Sequence, residues 1–217
     1  MMRLYHDLRA PNPRRVRMFL AEKGLTDQVE LVEVSIATHA NMTPAFLDKN
    51  PLGLVPVLEL PDGRTLRESM AICRYLEELH PQPSLFGADA WSRAQIEQWN
   101  RHAEFELMAT ISQANRHLNK FWAGKVRQVA EVGQDMKELA ARRFDWFDGE
   151  LSRHPYLAGD RYTIADVALY SYTHLAEQSE FDLKPFPALR DWLARVAAEP
   201  RHVAMDYRRE ALEVAAE

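Results

Sequence analysis

Cysteine is nearly absent from this chain, since Cys73 is the single one among 217 residues. One cysteine excludes an internal disulfide and fits a reducing compartment. Long apolar runs are missing too, because no stretch reaches the roughly 18 residues that a membrane-spanning helix needs. The first residues, through Arg3, His6 and Asp7, contain no apolar core, so we expect no signal peptide. These absences together predict a cytoplasmic protein without a membrane partner.

An excess of positive charge and a metal-ligand pattern are also missing. The chain has 27 Lys and Arg residues against 32 Asp and Glu residues, a formal net charge of -5 at pH 7. We therefore expect no nucleic-acid partner and no anionic membrane surface. Five scattered histidines lack metal-ligand spacing with cysteine or carboxylate residues, so we expect no metal. They are His80, His117, His154, His174 and His202.

What the chain does have is an unusual strand pattern at residues 54–60. The stretch is rich in Val and Leu, as a buried strand is, yet Pro56 lies inside it, and proline cannot donate a hydrogen bond to a sheet. A cis bond between Val55 and Pro56 reconciles the two observations, because it turns the chain just before the strand begins. The backbone N–H and C=O of Val55 would then point outward, available to an extended peptide ligand.

The residues that follow predict a hairpin and then an anion site. Asp62 and Gly63 are typical of a two-residue hairpin turn. Glu68 and Ser69 then open a helical pattern, with Ser69 as the expected N-cap and its first-turn amides as an anion site. A carboxylate would bind at Ser69 and an ammonium at Glu68. The pattern therefore predicts a site for an amino-acid head with a peptide tail along Val55.

This stretch resembles the cytosolic glutathione S-transferase superfamily, in particular its bacterial-type members. The family motif runs N-P-x-G-x-V-P-x-L, then a D-G turn, then an E-S pair at the start of a helix that ends Y-L. The matching residues here are Asn50-Pro51, Gly53, Val55-Pro56, Leu58, Asp62-Gly63, Glu68-Ser69 and Tyr75-Leu76. The resemblance implies a cis proline, a Val55 backbone that pairs with the cysteinyl unit of glutathione, and a Glu68-Ser69 pair that holds its γ-glutamyl group.

The order of predicted elements gives the fold class, and the resemblance implies the same one. Residues 1–80 are predicted as an α/β domain with the order β-α-β-α-β-β-α, which is that of a thioredoxin-like domain. Its first strand is expected at residues 3–5. Asn12, as N-cap, and Pro13, as first helical residue, are expected to begin its first helix.

The rest of the chain is predicted to be an all-α domain. Residues 81–90 are expected to form a linker, because two prolines lie there without a periodic pattern. Residues 91–217 carry helical periods at 91–122 and 126–151. Thr163 and Asp166 form a capping box before an apolar run, and Pro187 begins a late helix. Residues 211–217 are expected to fray.

The residue that would activate the thiol departs from the family pattern. Conjugation needs the thiolate, because the thiol is a poor nucleophile near neutral pH. The resemblance implies a Tyr at the end of the first strand, or a Ser or Cys in the following loop. Alignment of residues 15–17 with Ser-type members puts Ala10 at the serine position, and Cys73 lies on a different helix.

Four candidates remain for thiol activation, and Asn12 is the preferred one. Its amide is able to donate to the sulfur, although an N-cap role alone also explains it. Tyr5 offers a hydroxyl, but its strand position also suits the core. His6 aligns near the tyrosine of Tyr-type members, but an exposed loop histidine is the simpler explanation. Arg14 or Arg15 would supply positive charge, unless both lie on a solvated helix face.

Further contacts of the two substrates are expected outside this loop. A small hydrophobic substrate would lie between the loop and the first C-terminal helix, where the spacing puts His102, Phe105 and Met108 on one face. The same spacing is typical of a core face, so both interpretations stay open. The resemblance implies His39 as a contact for the glycine carboxylate of glutathione.

Three functional classes follow from these observations. The first is a transferase that adds the glutathione thiolate to a small hydrophobic electrophile. The second is a glutathione-dependent reductase of disulfides or peroxides, which the resemblance implies for members without a Ser, Tyr or Cys at the active position. The third is a non-catalytic transferase-like binding module, against which the intact Glu68-Ser69 pair argues. The resemblance also implies a homodimer.

Overall fold

The computed structural model describes residues 1–199 and residue 201. The chain divides into two compact units, of which the first includes residues 1–83 and the second comprises residues 84–199. The division falls within the 81–90 stretch. No helix in the described part of the chain combines the length and the apolar character needed to cross a membrane. The predicted fraying of residues 211–217 lies outside the described residues.

The first unit has the predicted order of strands and helices. Its elements are β1 (Met2–His6), α1 (Pro11–Glu22), β2 (Val29–Glu33), α2 (Pro44–Leu47), β3 (Val57–Glu59), β4 (Thr65–Arg67) and α3 (Ser69–Leu79). Short 3-10 turns occupy Thr26–Gln28 and Ala40–Met42. The order β-α-β-α-β-β-α is therefore confirmed, and with it the thioredoxin-like class of this unit.

The strands form one mixed sheet in the order β2-β1-β3-β4. β1 runs parallel to β2, with Leu4 opposite Leu31, and antiparallel to β3, with Leu4 opposite Leu58. β3 is in turn antiparallel to β4. The carboxyl ends of β1, β2 and β4 and the amino end of β3 therefore all lie at the same edge of the sheet.

Alternate residues of the central strands face two apolar layers, so the consecutive Val57 and Leu58 of β3 are both fully buried. Leu4 and Leu58 are fully buried and share one face, because they are opposite each other in the register. On the other face Val57 belongs to a cluster with Val34, Phe46 and Val55, against which Tyr5 packs. The second layer anchors the segment that leads from Val55 into β3.

All named elements of the second unit are helical among the residues that the structure describes. Its helices are α4 (Ala90–Arg101), α5 (Ala109–Leu118), α6 (Ala130–Leu151), α7 (Ile164–Gln178) and α8 (Pro187–Ala197), with a π-helical segment at His102–Met108 and a 3-10 turn at Lys120–Trp122. The predicted capping box is confirmed, because the Asp166 carboxylate accepts a hydrogen bond from the Thr163 amide at 3.0 Å. The same buried carboxylate accepts from the Trp192 indole at 3.0 Å and so links α7 to α8.

Two predicted helix caps are wrong by one or two residues. The N-cap of α1 is Ala10, and Pro11 is the first helical residue, so Asn12 lies inside the first turn. Proline suits the first helical position because its φ is preset and its missing N–H would lack a helical partner there. The N-cap of α3 is Glu68 and not Ser69, because the Ile72 amide donates to the Glu68 carbonyl at 2.9 Å.

Candidate functional site

The sheet topology brings the predicted site segments to one edge of the first unit. The loop that follows β1 leads into α1, and the residues before β3 include Val55. α3 begins immediately after β4, at Ser69. Because β1 and β4 run in the same direction, α1 and α3 run parallel to each other and both N-termini point to this edge. Two helix N-termini at one edge favour the binding of an anion there.

The segment before β3 presents an unpaired stretch of backbone. The Val55–Pro56 bond is cis, as the sequence predicted. Val55 is buried, with its side chain in the apolar cluster under the sheet. Among the described residues, no hydrogen bond is made by its backbone N–H or C=O. An extended peptide therefore has one donor and one acceptor to pair with at Val55.

Side-chain amides hold the turn that precedes Val55. The Asn50 amide donates to the Leu54 carbonyl at 2.7 Å, and the Asn41 amide donates to the Gly53 carbonyl at 2.7 Å. Gly53 has φ +62°, and a Cβ there would lie 2.7 Å from Met42 Sδ. The motif therefore requires asparagine and glycine at these positions for the backbone path. Sequence reasoning did not assign these roles to Asn41 and Asn50.

Glu68 occupies a backbone conformation that is unusual for a residue with a side chain. Its φ is 66° and its ψ is 117°, and its exposed carboxylate has no hydrogen-bond or ion-pair partner within the part of the chain described. Such conformations cost about 1–3 kcal/mol and cluster at ligand sites. Here the conformation puts a free carboxylate directly before the N-terminus of α3.

Ser69 is buried and has a charged neighbour that the sequence did not reveal. Its side chain is 5% exposed, and its Oγ accepts a hydrogen bond from Arg15 Nη1 at 2.9 Å. Arg14 and Arg15 are 2% and 0% exposed, so the interpretation of a solvated helix face is wrong for both. No signal in the sequence indicates this contact, because a run of arginines at the start of a helix usually indicates a solvated face.

Asn12 supplies the hydrogen-bond donors at the start of α1. Pro11 and Pro13 flank it in the first turn, and neither has a backbone N–H. The amide of Ala10 already donates to the Asp7 carbonyl at 3.3 Å. Neither the backbone N–H nor the side chain of Asn12 has a hydrogen-bond partner among the described residues. The first turn of α1 therefore offers the donors of this one residue.

Tyr5 has its hydroxyl engaged on the α2 side of the sheet. The hydroxyl donates to Glu59 Oε2 at 2.8 Å, and Glu59 is also paired with Lys49 at 2.5 Å. The ring contacts Phe46 with 6.3 Å between centroids. A role in thiol activation would require Tyr5 to give up the bond to Glu59, so the geometry favours Asn12 over Tyr5.

His6 is the last residue of β1 and is buried, so the interpretation as an exposed loop histidine is wrong. It is 5% exposed, and its Nε2 lies 3.6 Å from Glu33 Oε2. Burial, with a smaller contribution from the nearby Arg17 guanidinium, lowers the pKa of His6 to about 4. The imidazole is therefore neutral near pH 7 and brings no positive charge to a thiolate.

Two other candidate groups in the first unit differ in accessibility. Cys73 is fully buried, and burial raises the pKa of its thiol to about 12, which excludes it as a nucleophile. His39 is exposed and has φ 60° at the N-terminus of the 3-10 turn Ala40–Met42. Its contact with a glycine carboxylate stays a prediction.

The three residues predicted to contact a hydrophobic substrate all lie in the π-helical segment of the second unit. His102 packs edge-on against Trp99 and Trp146, with centroids 5.7 and 5.0 Å away. Phe105 is 64% exposed, whereas Met108 is partly buried. π-helical segments occur frequently at functional sites. Phe105 is therefore accessible to a ligand, whereas the His102 ring packs within an aromatic cluster.

Metal ions in proteins need a set of ligand side chains that lie close together. Across residues 1–199 and 201, no group of three or more His, Cys, Asp or Glu side chains is arranged to hold a metal ion. The polar groups at this edge of the sheet are backbone and side-chain amides, a hydroxyl, and the Glu68 carboxylate, which accepts hydrogen bonds. They suit an organic ligand with both a carboxylate and an ammonium group.

Comparison with known proteins gives consistent matches over both units. Residues 10–79 match the family model of the glutathione S-transferase N-terminal domain, and residues 115–200 match that of the C-terminal domain. Glutathione S-transferase 2 of Saccharomyces cerevisiae is 32% identical over 92% of this chain and 87% of its own length. The maleylacetoacetate isomerase of Pseudomonas aeruginosa is 30% identical over 92% of each chain.

A solved structure agrees with these sequence matches. The glutathione S-transferase domain-containing protein of Marinobacter aquaeolei VT8 superposes with a TM-score of 0.86. It is 37% identical in sequence, and the match covers 92% of this chain and 98% of that one.

Proposed function

Because the chain belongs to the cytosolic glutathione S-transferase superfamily, we propose that it conjugates the thiolate of glutathione to a small hydrophobic electrophile. In this reaction the sulfur forms a bond to the electrophilic carbon, and the leaving group departs with its electron pair. The thiol proton goes to solvent when glutathione binds. The observation that carries the proposal is the convergence of the Val55 backbone, Glu68 and Ser69 at the N-terminus of α3.

Each of these groups has a matching group on glutathione. The α-carboxylate of the γ-glutamyl unit would accept from the Ser69 hydroxyl and from the first-turn amides of α3, which lack helical partners. The α-ammonium would pair with the Glu68 carboxylate. The cysteinyl backbone would form two hydrogen bonds with Val55, as an added strand does.

Thiol activation is assigned to Asn12 in this proposal. The pKa of a free thiol is about 8.5, so only a small fraction is thiolate near neutral pH. Donors at the sulfur and the positive end of α1 both favour the thiolate. Asn12 is supported by its free donors, whereas Tyr5 is bonded to Glu59 and His6 is neutral.

The remaining substrate contacts and the oligomeric state are proposed from residue type, exposure and the superfamily. His39 would contact the glycine carboxylate of glutathione, and the exposed Phe105, together with His102 and Met108, would contact the electrophile. We further propose a cytoplasmic homodimer, in keeping with the superfamily. No metal cofactor enters the mechanism, because the reacting pair is a thiolate and an electrophilic carbon.

Ser69→Ala tests the binding site directly. We expect the Kd of glutathione to rise about tenfold, since the lost hydrogen bond is to a charged group. The free energy of unfolding should also fall, by about 1–3 kcal/mol, because the variant removes the hydrogen-bond acceptor of the buried Arg15 Nη1. Calorimetric titration and urea denaturation measure the two quantities, and an unchanged Kd contradicts the assignment.

Glu68→Gln, with two ligands, separates the carboxylate contact from the ammonium contact. The variant should raise the Kd of glutathione but not the Kd of glutaryl-cysteinylglycine, which has no amine. If the variant raises both Kd values by the same factor, Glu68 does not bind the ammonium. The Glu68 side chain is exposed and makes no hydrogen bond or ion pair within the described residues, so the variant should keep the fold of the wild type.

One observation favours a second function, the glutathione-dependent reduction of disulfides or peroxides. Residues 7–12 contain no hydroxyl or thiol side chain, and Cys73 is buried. In such a reaction one glutathione thiolate attacks a disulfide sulfur or a peroxide oxygen and expels a thiolate or an alkoxide. A second glutathione thiolate then attacks the glutathione sulfur of the product and expels the other thiolate or a hydroxide, which leaves as thiol or water, and oxidised glutathione is released. Conjugation and reduction assays on the same preparation decide between the two, because the proposed transferase should be faster in the first.

A further inference from the structure

The hydrogen bond between Arg15 and Ser69 joins the N-terminal ends of two helices. Arg15 is fully buried, and its Nη1 donates to Ser69 Oγ at 2.9 Å. Within the described part of the chain this is the hydrogen bond that Ser69 Oγ makes. Arg15 lies in the second turn of α1, and Ser69 is the first residue of α3. The guanidinium is therefore directly behind the hydroxyl and away from solvent.

The surrounding contacts fix this guanidinium in place. α1 and α3 run parallel, and eight residues further along each helix Lys23 pairs with Glu77 at 2.5 Å. Between the two polar contacts lies Cys73, whose thiol pKa is lowered by the Arg15 charge although burial raises it more. Polar contacts at both ends of a packed helix pair hold Arg15 in one position against Ser69.

The chemistry of a hydroxyl explains what this contact does. A serine hydroxyl has one hydrogen to donate and two lone pairs to accept with. Because Arg15 donates to the oxygen, the hydroxyl hydrogen is left for another acceptor. A donor that itself accepts from a cation is polarised, and such charge-assisted bonds are stronger than neutral ones. The hydroxyl is therefore oriented and strengthened as a donor to an anion at the N-terminus of α3.

We propose that Arg15 is a positioning residue that makes the site selective for the α-carboxylate of the γ-glutamyl group, acting through Ser69. The inference rests on the proposed function, since it assumes that glutathione binds at Ser69. Arg15 does not touch the ligand in this account. It orients the Ser69 hydroxyl and adds positive charge behind it, so its effect is confined to ligands that carry the carboxylate.

The test compares two ligands in two matched variants. Arg15→Gln should raise the Kd of glutathione about tenfold and leave that of 4-aminobutanoyl-cysteinylglycine, which lacks the α-carboxylate, unchanged. Arg14→Gln is the control, because Arg14 is equally buried on the same helix and makes no bond to Ser69. Because both ligands carry the thiol, any effect of the Arg14 charge on binding should be equal for the two, and the ratio of their Kd values should stay unchanged. A merely structural role of Arg15 would weaken both ligands together, and that result overturns the proposal.

A double-mutant cycle decides whether Arg15 acts through Ser69. In the Ser69→Ala background the Arg15→Gln change should lose most of its effect on glutathione. A full effect in that background overturns the proposal. If Ser69→Ala weakens glutathione binding but Arg15→Gln does not, the positioning role of Arg15 is wrong while the binding site at Ser69 stands. If Ser69→Ala has no effect, the proposed binding site fails as well.

Arg15→Lys keeps the comparison possible if the neutral variant does not fold. Lysine retains the charge but lacks the planar group of arginine. Glutathione should then bind with an intermediate Kd, and the carboxylate-free ligand should again bind as it does to the wild type. Equal weakening of both ligands by Arg15→Lys contradicts the proposal.

Discussion

At the residue scale, the most informative difference between sequence and structure is the burial of charged side chains in α1. Arg14, Arg15 and Arg17 are 2%, 0% and 8% exposed, although a run of arginines in a sequence usually indicates a solvated face. Sequence periodicity reports apolar positions and does not show where a guanidinium finds polar partners. The contact of Arg15 with Ser69 joins residues 54 positions apart, so only the fold reveals it.

His6 gives a pH-dependent prediction at the same scale. Its pKa is about 4 in the folded chain and about 6.5 in the unfolded chain. The unfolded state therefore binds more protons between these values, and stability is lost as the pH falls through that window. The His6 contribution to the free energy of unfolding should decrease by about 3 kcal/mol from pH 7 to pH 4.

Urea denaturation of wild type and His6→Asn across this range measures the contribution as a difference between the two curves. Leu4→Ala is the control, since Leu4 lies on the same face of β1 and is equally buried but does not titrate. Its difference from wild type should be the same at each pH. Parallel curves for His6→Asn would show that the histidine is not held neutral by burial.

At the scale of elements, the motif around Pro56 was predictable because each residue has a local reason. Proline in an apolar strand, an Asp62-Gly63 turn and an amphipathic pattern after Ser69 each restrict the backbone on their own. Helix starts were less predictable, since both Pro11 and Pro13 are suited to the first helical position of α1 and the structure has Pro11 there. The helical period of residues 91–122 does not distinguish the π-helical segment at His102–Met108 from an ordinary α-helix.

Gly53→Ala tests the turn that positions Val55. Gly53 has φ +62° and no room for a Cβ beside Met42 Sδ, whereas Gly24 has φ +65° and nothing within 4 Å. Gly24→Ala should therefore lose about 1–2 kcal/mol of stability from backbone strain alone. Gly53→Ala should lose more and should also weaken glutathione binding, because the turn must shift. Equal losses of stability with unchanged binding would contradict this role of the turn.

At the scale of the whole molecule, fold class and family were predictable from the sequence, whereas the role of Asn12 in thiol activation stays a prediction. The element order and the motif from Asn50 to Leu76 are local features, and both unit types follow from them. Thiol activation depends on which donors remain free once the chain has folded. Tyr5 and His6 differ from Asn12 in their partners and burial, and these are properties of the assembled sheet and helices.

The central claim is that the chain binds glutathione and stabilises its thiolate at Asn12. Ultraviolet difference absorption of bound glutathione, titrated against pH, measures the thiolate directly in wild type, Asn12→Ala and Asn12→Asp. Asn12→Asp is the matched control, since aspartate suits the first turn of a helix but brings negative charge to the sulfur. We predict a wild-type midpoint well below about 8.5, the pKa of the free thiol, and a higher midpoint in both variants. Glutathione that binds with an unshifted midpoint, or a midpoint that neither variant changes, would contradict the account.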